Sequence, residues 1–237
     1  VHLDVLGVLP GLGAIALRVT LDLFALLIAL IGGRVVPAFT ASALAARDEA
    51  ERVRASSMRD GLAIATIVLM LLADLGGLTR AAGALALAAA LLNAWRLHGW
   101  GGSRTLRAPI LWVLHLGYLW LAIGLAWKGL VDLSGWLPAA DALHGLAIGA
   151  VGTMTLAIMS RATLGHTGRP LHAPPLVVAS YVLVGAAALA RLAAPLAPAH
   201  AVSLLVISGA LWSAAFATFV VRLGPALVQP RADGRPG

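Results

Sequence analysis

Runs of about 18 to 22 apolar residues recur along the chain, parted by short segments that collect arginine, glycine and proline. A run of that length crosses a bilayer as a helix, at a rise of about 1.5 Å per residue. The pattern predicts seven spans, at residues 14–31, 61–78, 80–97, 110–131, 142–161, 176–194 and 201–223. A β-barrel would show shorter segments of strict alternation, and the runs here are built from Ala and Leu rather than the Val, Thr and Tyr of strands. The expected fold class is therefore all-α, a polytopic transmembrane helix bundle of about seven spans forming a single domain over residues 1–237. Residues 1–13 are short and broken by Gly and Pro, as at the end of a preceding loop or helix. Residues 41–60, ASALAARDEAERVRASSMRD, form the longest polar stretch; its four Arg balance two Asp and two Glu, which reads as a cytoplasmic interfacial linker between spans one and two.

Composition sharpens this picture. Of 237 residues 60% are hydrophobic and 11% charged, and mean hydropathy is +0.93; a soluble domain carries about a quarter charged residues. The chain has no cysteine, which excludes disulfides, thiolate metal sites and iron–sulfur clusters, so a bound metal would take His, Met, carboxylate or backbone ligands. It opens at Val1 with no basic region and cleavage site behind it, and reads as part of something longer. The net charge of +7 reports topology rather than a nucleic-acid partner. Thirteen of the 17 basic residues follow spans one, three, five and seven, four lie on the other side, and acidic residues divide evenly. By the positive-inside rule the N-terminus of this chain is outside and the C-terminus cytoplasmic.

Ionisable residues inside the spans need a reason to be there. Arg18/Asp22 and Lys128/Asp132 sit at i,i+4 spacing, so each pair shares a helix face and is expected to act as a structural anchor. Asp74 has no neighbour at that spacing and either lies at the outer interface near Arg80, the favoured expectation, or lines a cavity. The histidines sort by depth into an inner group (His98, His115, His166, His172) and an outer group (His144, His200 and His2). A lone histidine in an apolar helix more often hydrogen-bonds to a neighbouring helix than ligates a metal, whereas a group of them suits haem iron or copper. Gly145, Gly149 and Thr153 make a small-residue stripe that serves close helix packing or a flat macrocycle alike. Met154 and Met159 are either soft copper ligands or core filler. Arg161 and Arg34 end spans five and one, where an arginine either snorkels or meets an anionic group. The loop GHTGRPLHAPP cannot continue a helix, and is a connection or a cover for an inner-face site.

Three stretches carry a family resemblance: IGGRVVPAFT after span one, LHLGYLWLAIGL in span four, and DALHGLAIGAVGTMTLAIMSRATLGHTGRPL across span five. They resemble the NnrS family, in order and over essentially the whole chain, and specifically its C-terminal part of about seven helices. The resemblance implies a bacterial inner-membrane protein that contains haem and copper and is associated with denitrification and with the response to nitric oxide and nitrosative stress. It puts His115, His144, His166, Arg161 and Arg34 on family motif positions as cofactor-binding candidates, with His98 and His172 as further metal candidates. The family's N-terminal part carries a WHAHEM-like motif, which these 237 residues do not contain.

Two other classes compete with this expectation. One is a proton-coupled small-solute transporter, in which Asp22, Asp74 and the intramembrane histidines relay protons; no inverted repeat or matched pair of broken helices supports it. The other is a structural membrane subunit without cofactor, whose histidines only bridge helices. Catalysis would need an open iron position and a route for electrons, and the sequence displays neither.

Overall fold

A computed structural model describes residues 12–45, 49–138 and 140–234; the expected roles of His2, Arg47 and Arg235 fall outside these residues. All regular structure among them is helical, arranged as seven rods that correspond one to one with the seven apolar runs. The first rod comprises α1 (Leu12–Leu27), a π-helical turn (Ile28–Gly32) and α2 (Gly33–Ala45). It continues 14 residues beyond the boundary expected at residue 31, because the π turn absorbs the Gly-Gly step instead of ending the helix, and Pro37 is carried inside α2. The following rods are α3 (Ser57–Leu75), α4 (Thr79–His98) and α5 (Pro109–Ser134). The fifth rod joins a π-helical segment (Gly145–Gly152) to α6 (Thr153–His166), and α7 (Pro175–Ala193) and α8 (Ala201–Val228) complete the bundle.

Start and stop signals follow the local chemistry. Pro109 and Pro175 open α5 and α7 at positions where a missing N–H costs nothing. Gly135 closes α5 at φ 65°, a left-handed conformation that a side chain would resist.

Helix α5 is the hub, packing against α4, the π segment, α6, the first rod and α7. In its most apolar stretch 67% of residues are buried, against 22% in the first rod and 17% in α8, so the outer rods offer most of the surface to lipid. Five rods are long and apolar enough to cross a membrane (Gly13–Ala45, Pro109–Ser134, Asp141–His166, Pro175–Leu196 and Pro198–Val228), and the protein is a helical membrane protein. The two rods that fall short, α3 and α4, carry Asp60, Asp74 and Arg96, and each of these groups turns to a partner of opposite charge on another rod. These three charges are thus neutralised by neighbouring rods.

The expected small-residue stripe packs where two rods cross. A Cβ on Gly145 would lie 2.9 Å from the Cα of Gly124, and one on Gly149 would lie 2.6 Å from the Trp120 ring. The bare backbone of the π segment therefore lies directly on α5, and Thr153 behind it is fully buried.

Candidate functional site

The motif GGRVVPAFT occupies the junction of the π turn and α2, and four of its residues face other rods. Gly33 has no side chain because the buried Arg96 guanidinium of α4 fills that space. Phe39 presents its ring to α6, where the Arg161 guanidinium lies 3.8 Å from the ring centroid. Thr40 turns to α5, its Oγ1 lying 2.9 Å from His115 Nε2. Gly32 lies against the Tyr118 ring and the end of Met154. Helix α2 thus ties α4, α5 and α6 together at one end of the bundle.

Proton counting sets the state of His115. Thr40 has one hydroxyl proton and donates it to Val36 O at 2.8 Å, the back-bond of a helical threonine. Its oxygen can then only accept, so His115 Nε2 carries the ring proton and donates to it. The lone pair is left on Nδ1, which is buried and has no hydrogen-bond partner. Gly102 packs over the face of the ring, where a Cβ would stand 2.8 Å from Nδ1, 3.1 Å from Cγ and 3.3 Å from Cε1. Gly101, at φ 68°, turns the chain after α4 to bring that glycine in. A histidine whose far N–H is fixed by a second group and whose other nitrogen keeps a free lone pair is arranged as a metal ligand is arranged. The residues present fit a nitrogen-bound metal.

His115 and His98 line the same cavity of about 430 Å³, with Gly102, Trp112 and Leu119 among its walls. His98, exposed at its rim, also borders a wider cleft of about 850 Å³ that holds Arg54, Arg59, Arg104 and Trp95. Arg59 stacks on Trp95 at 5.0 Å, while Arg104 pairs with Glu49 at 2.8 Å. Both volumes fall within the usual range for small-ligand and cofactor pockets, about 300–1,000 Å³. Arginines beside an imidazole-lined cavity suit a ligand with a carboxylate edge.

The other candidates lie apart. His144 is at the opposite end, where Arg191 Nη2 lies 2.9 Å from His144 Nε2. A guanidinium only donates, so this nitrogen accepts and the proton sits on Nδ1, 4.0 Å from Asp141 Oδ1. Arg191 also donates to Asp141 at 3.4 Å, and His144 and Arg191 border a cavity of about 340 Å³ with Ser208 and Trp212. His166 and His172 are exposed on either side of the Gly168 turn. The loop between them is held by the segment after α8, through Arg231 to His166 O at 3.1 Å and Ala232 N to Thr167 O at 3.0 Å. Arg34 is exposed at the α2 end, and Arg161 is committed to Phe39. Met154 and Met159 border an apolar cavity of about 300 Å³ between the π turn and α6. Among the described residues, no three His, Asp or Glu side chains converge as a preformed metal cluster.

Two arrangements escape sequence reasoning. One centres on Arg96, which is buried and donates to Tyr118 OH at 2.6 Å, Asp60 at 2.8 Å, Ala29 O at 3.2 Å and Asn93 at 3.3 Å. Ala29 lies in the π turn, so Arg96 supplies an outside donor to backbone whose helical register has changed. The second corrects the expectation for Asp74. It is not at the interface near Arg80 but buried, 3.1 Å from Arg18 and 2.6 Å from Lys128. Lys128 and Asp132 do pair, at 2.8 Å, whereas Arg18 turns from Asp22 to Asp74 and Asp132. The only sequence signal for either arrangement is a polar residue inside an apolar run, which names no partner.

No curated protein and no solved structure matches the chain. The model of the family described as NnrS protein matches residues 1–231, a stretch that takes in every rod and every contact of the GGRVVPAFT junction. The chain belongs to the NnrS family.

Proposed function

We propose that this protein binds haem and copper in the bacterial inner membrane, N-terminus outside and C-terminus cytoplasmic, and serves the response to nitric oxide and nitrosative stress linked to denitrification. The observation that carries the reading is the free, buried Nδ1 of His115, fixed in its tautomer by Thr40, with side-chain-free Gly102 over the ring. His115 is the residue that would hold the metal, and His98, on the same cavity, is the second imidazole. Arg54 and Arg59 would receive the carboxylates of a haem edge in the adjoining cleft. His144, His166 and His172 remain further metal candidates, with Arg161 and Arg34 as anionic-group contacts. A bound haem or copper supplies affinity for a small diatomic ligand. The protein's part is to hold Nδ1 unprotonated, exclude bulky groups at Gly102 and present cations to the propionates.

The test is an optical spectrum and metal count of detergent-purified protein supplied with haem and copper. Wild type should show a Soret band, and His115→Ala should lose the band or the copper, while His200→Ala keeps both. Full cofactor content in His115→Ala would leave the histidine as a helix-packing group. Thr40→Val keeps the helix but removes the acceptor that holds the ring. It should weaken metal binding by about 10–100-fold, as loss of an outer partner does at metal-bound histidines, and a metal titration reads it directly.

A further inference from the structure

At the end of the bundle opposite Arg96, three rods converge five ionisable side chains: Arg18 and Asp22 on α1, Asp74 on α3, and Lys128 and Asp132 on α5. Lys128 is fully enclosed and lies 2.6 Å from Asp74 and 2.8 Å from Asp132. Arg18 lies 3.1 Å from Asp74 and also meets Asp132. Two cations and two carboxylates therefore close a balanced square, each cation touching both acids.

Asp22 is the fifth member and has no cation left to pair with. It is fully buried, and neither carboxylate oxygen meets an N–H or O–H donor. Asp74 is the carboxyl near enough to share a hydrogen with it, while Lys128 and Arg18 act on it through space without a direct contact. With all five groups ionised the cluster carries one uncompensated negative charge out of contact with water, which is costly. One proton removes that charge and gives the Asp22–Asp74 contact the hydrogen it lacks. A metal ion would not serve, since it needs several oxygens around it and both cationic side chains already stand in the cluster.

We propose that this cluster is a proton-binding site, with Asp22 the carboxyl that takes up and releases a single proton. Uptake adds H⁺ to one Asp22 oxygen, and the new O–H donates to Asp74; release returns H⁺ to water and leaves both carboxylates ionised. No other group changes charge. Helix α4 contributes Gly83, a Cβ on which would stand 2.9 Å from that of Asp132, and its Arg80 is exposed to solvent. The neighbouring π segment Gly145–Gly152 carries no ionisable residue. The Arg18 side chain, 13% exposed against 3% or less for Asp74, Lys128 and Asp132, is the least enclosed of these four. The proposal is independent of haem or copper binding, because it uses none of the histidines.

The experiment is infrared spectroscopy of the whole protein in lipid nanodiscs, titrated in H₂O and D₂O. A protonated carboxylic acid has a carbonyl stretch well separated from the carboxylate bands, and it shifts on deuteration. Wild type should show this band at neutral pH and lose it on alkalinisation. Asp22→Asn, which copies the shape and charge of the protonated acid, should lack the band while unfolding at the wild-type temperature. Asp22→Glu, which keeps an acid one methylene longer, should shift it. Absence of a protonated carboxyl in the wild type at neutral pH overturns the proposal whatever the variants do. So does a band that neither Asp22 variant alters.

Discussion

Lys128→Met is expected to destabilise the folded bundle by about 3–5 kcal/mol, the cost of breaking a buried ion pair by removing one partner. The lysine is 0% exposed and lies within 2.8 Å of both Asp74 and Asp132, so its loss leaves Arg18 alone against these two carboxylates. Methionine keeps the length of the stem, which separates the charge effect from a cavity effect. Thermal unfolding in detergent, followed by circular dichroism, reads the change as a large fall in midpoint. Lys128→Met combined with Asp132→Leu should recover much of the loss, because it removes a positive and a negative charge together. The two changes share a partner and are therefore expected to be non-additive. If Lys128→Met unfolds at the wild-type temperature, the cluster is not holding the rods together.

Gly124→Ala should have the second large effect, about 1–3 kcal/mol of destabilisation from overpacking. A Cβ there would meet the Leu146 nitrogen at 2.7 Å and the Gly145 carbonyl carbon at 2.8 Å. Both are backbone atoms, so no rotamer change relieves the clash and the π segment itself must move. The sign reverses at Gly61, which has nothing within 4 Å of its Cβ position on helix α3. There alanine should stabilise by about 0.5–1 kcal/mol, since it lowers backbone entropy without meeting an obstacle. Comparing the two unfolding midpoints under one condition tests whether the α5 crossing, rather than helix propensity, controls stability.

The limits of sequence reading are visible in Asp74 and Asp22. Period and spacing place residues on faces of their own helix, and on that basis Arg18 pairs with Asp22 four residues on. Three-dimensional packing offers Arg18 two carboxylates from other rods, and the nearer partner in sequence is the one left over. His115 shows the same limit in a different way. Its place on one end of the bundle beside His98 was legible, because depth follows from counting residues along a helix. Which nitrogen holds the proton was not legible, since that depends on Thr40, 75 residues away, spending its own proton on Val36. The place of His144 at the other end of the bundle was equally legible, but not the donation from Arg191 that claims its Nε2.

By itself the sequence determined the helical membrane class, the number of rods and their order, because the length of an apolar run and the spacing of its breaks are local quantities set by bilayer thickness and backbone hydrogen bonding. It also carried the family, through motifs whose residues turn out to be contacts. Only the tertiary structure decided the π turns, the seating of α2 against three other rods, and the partners that Arg18, Asp74 and Arg96 find on other rods. Those outcomes are set by which rods lie side by side, and in a low-dielectric interior a charge or an imidazole takes its state from the neighbour it touches rather than from its place in the chain.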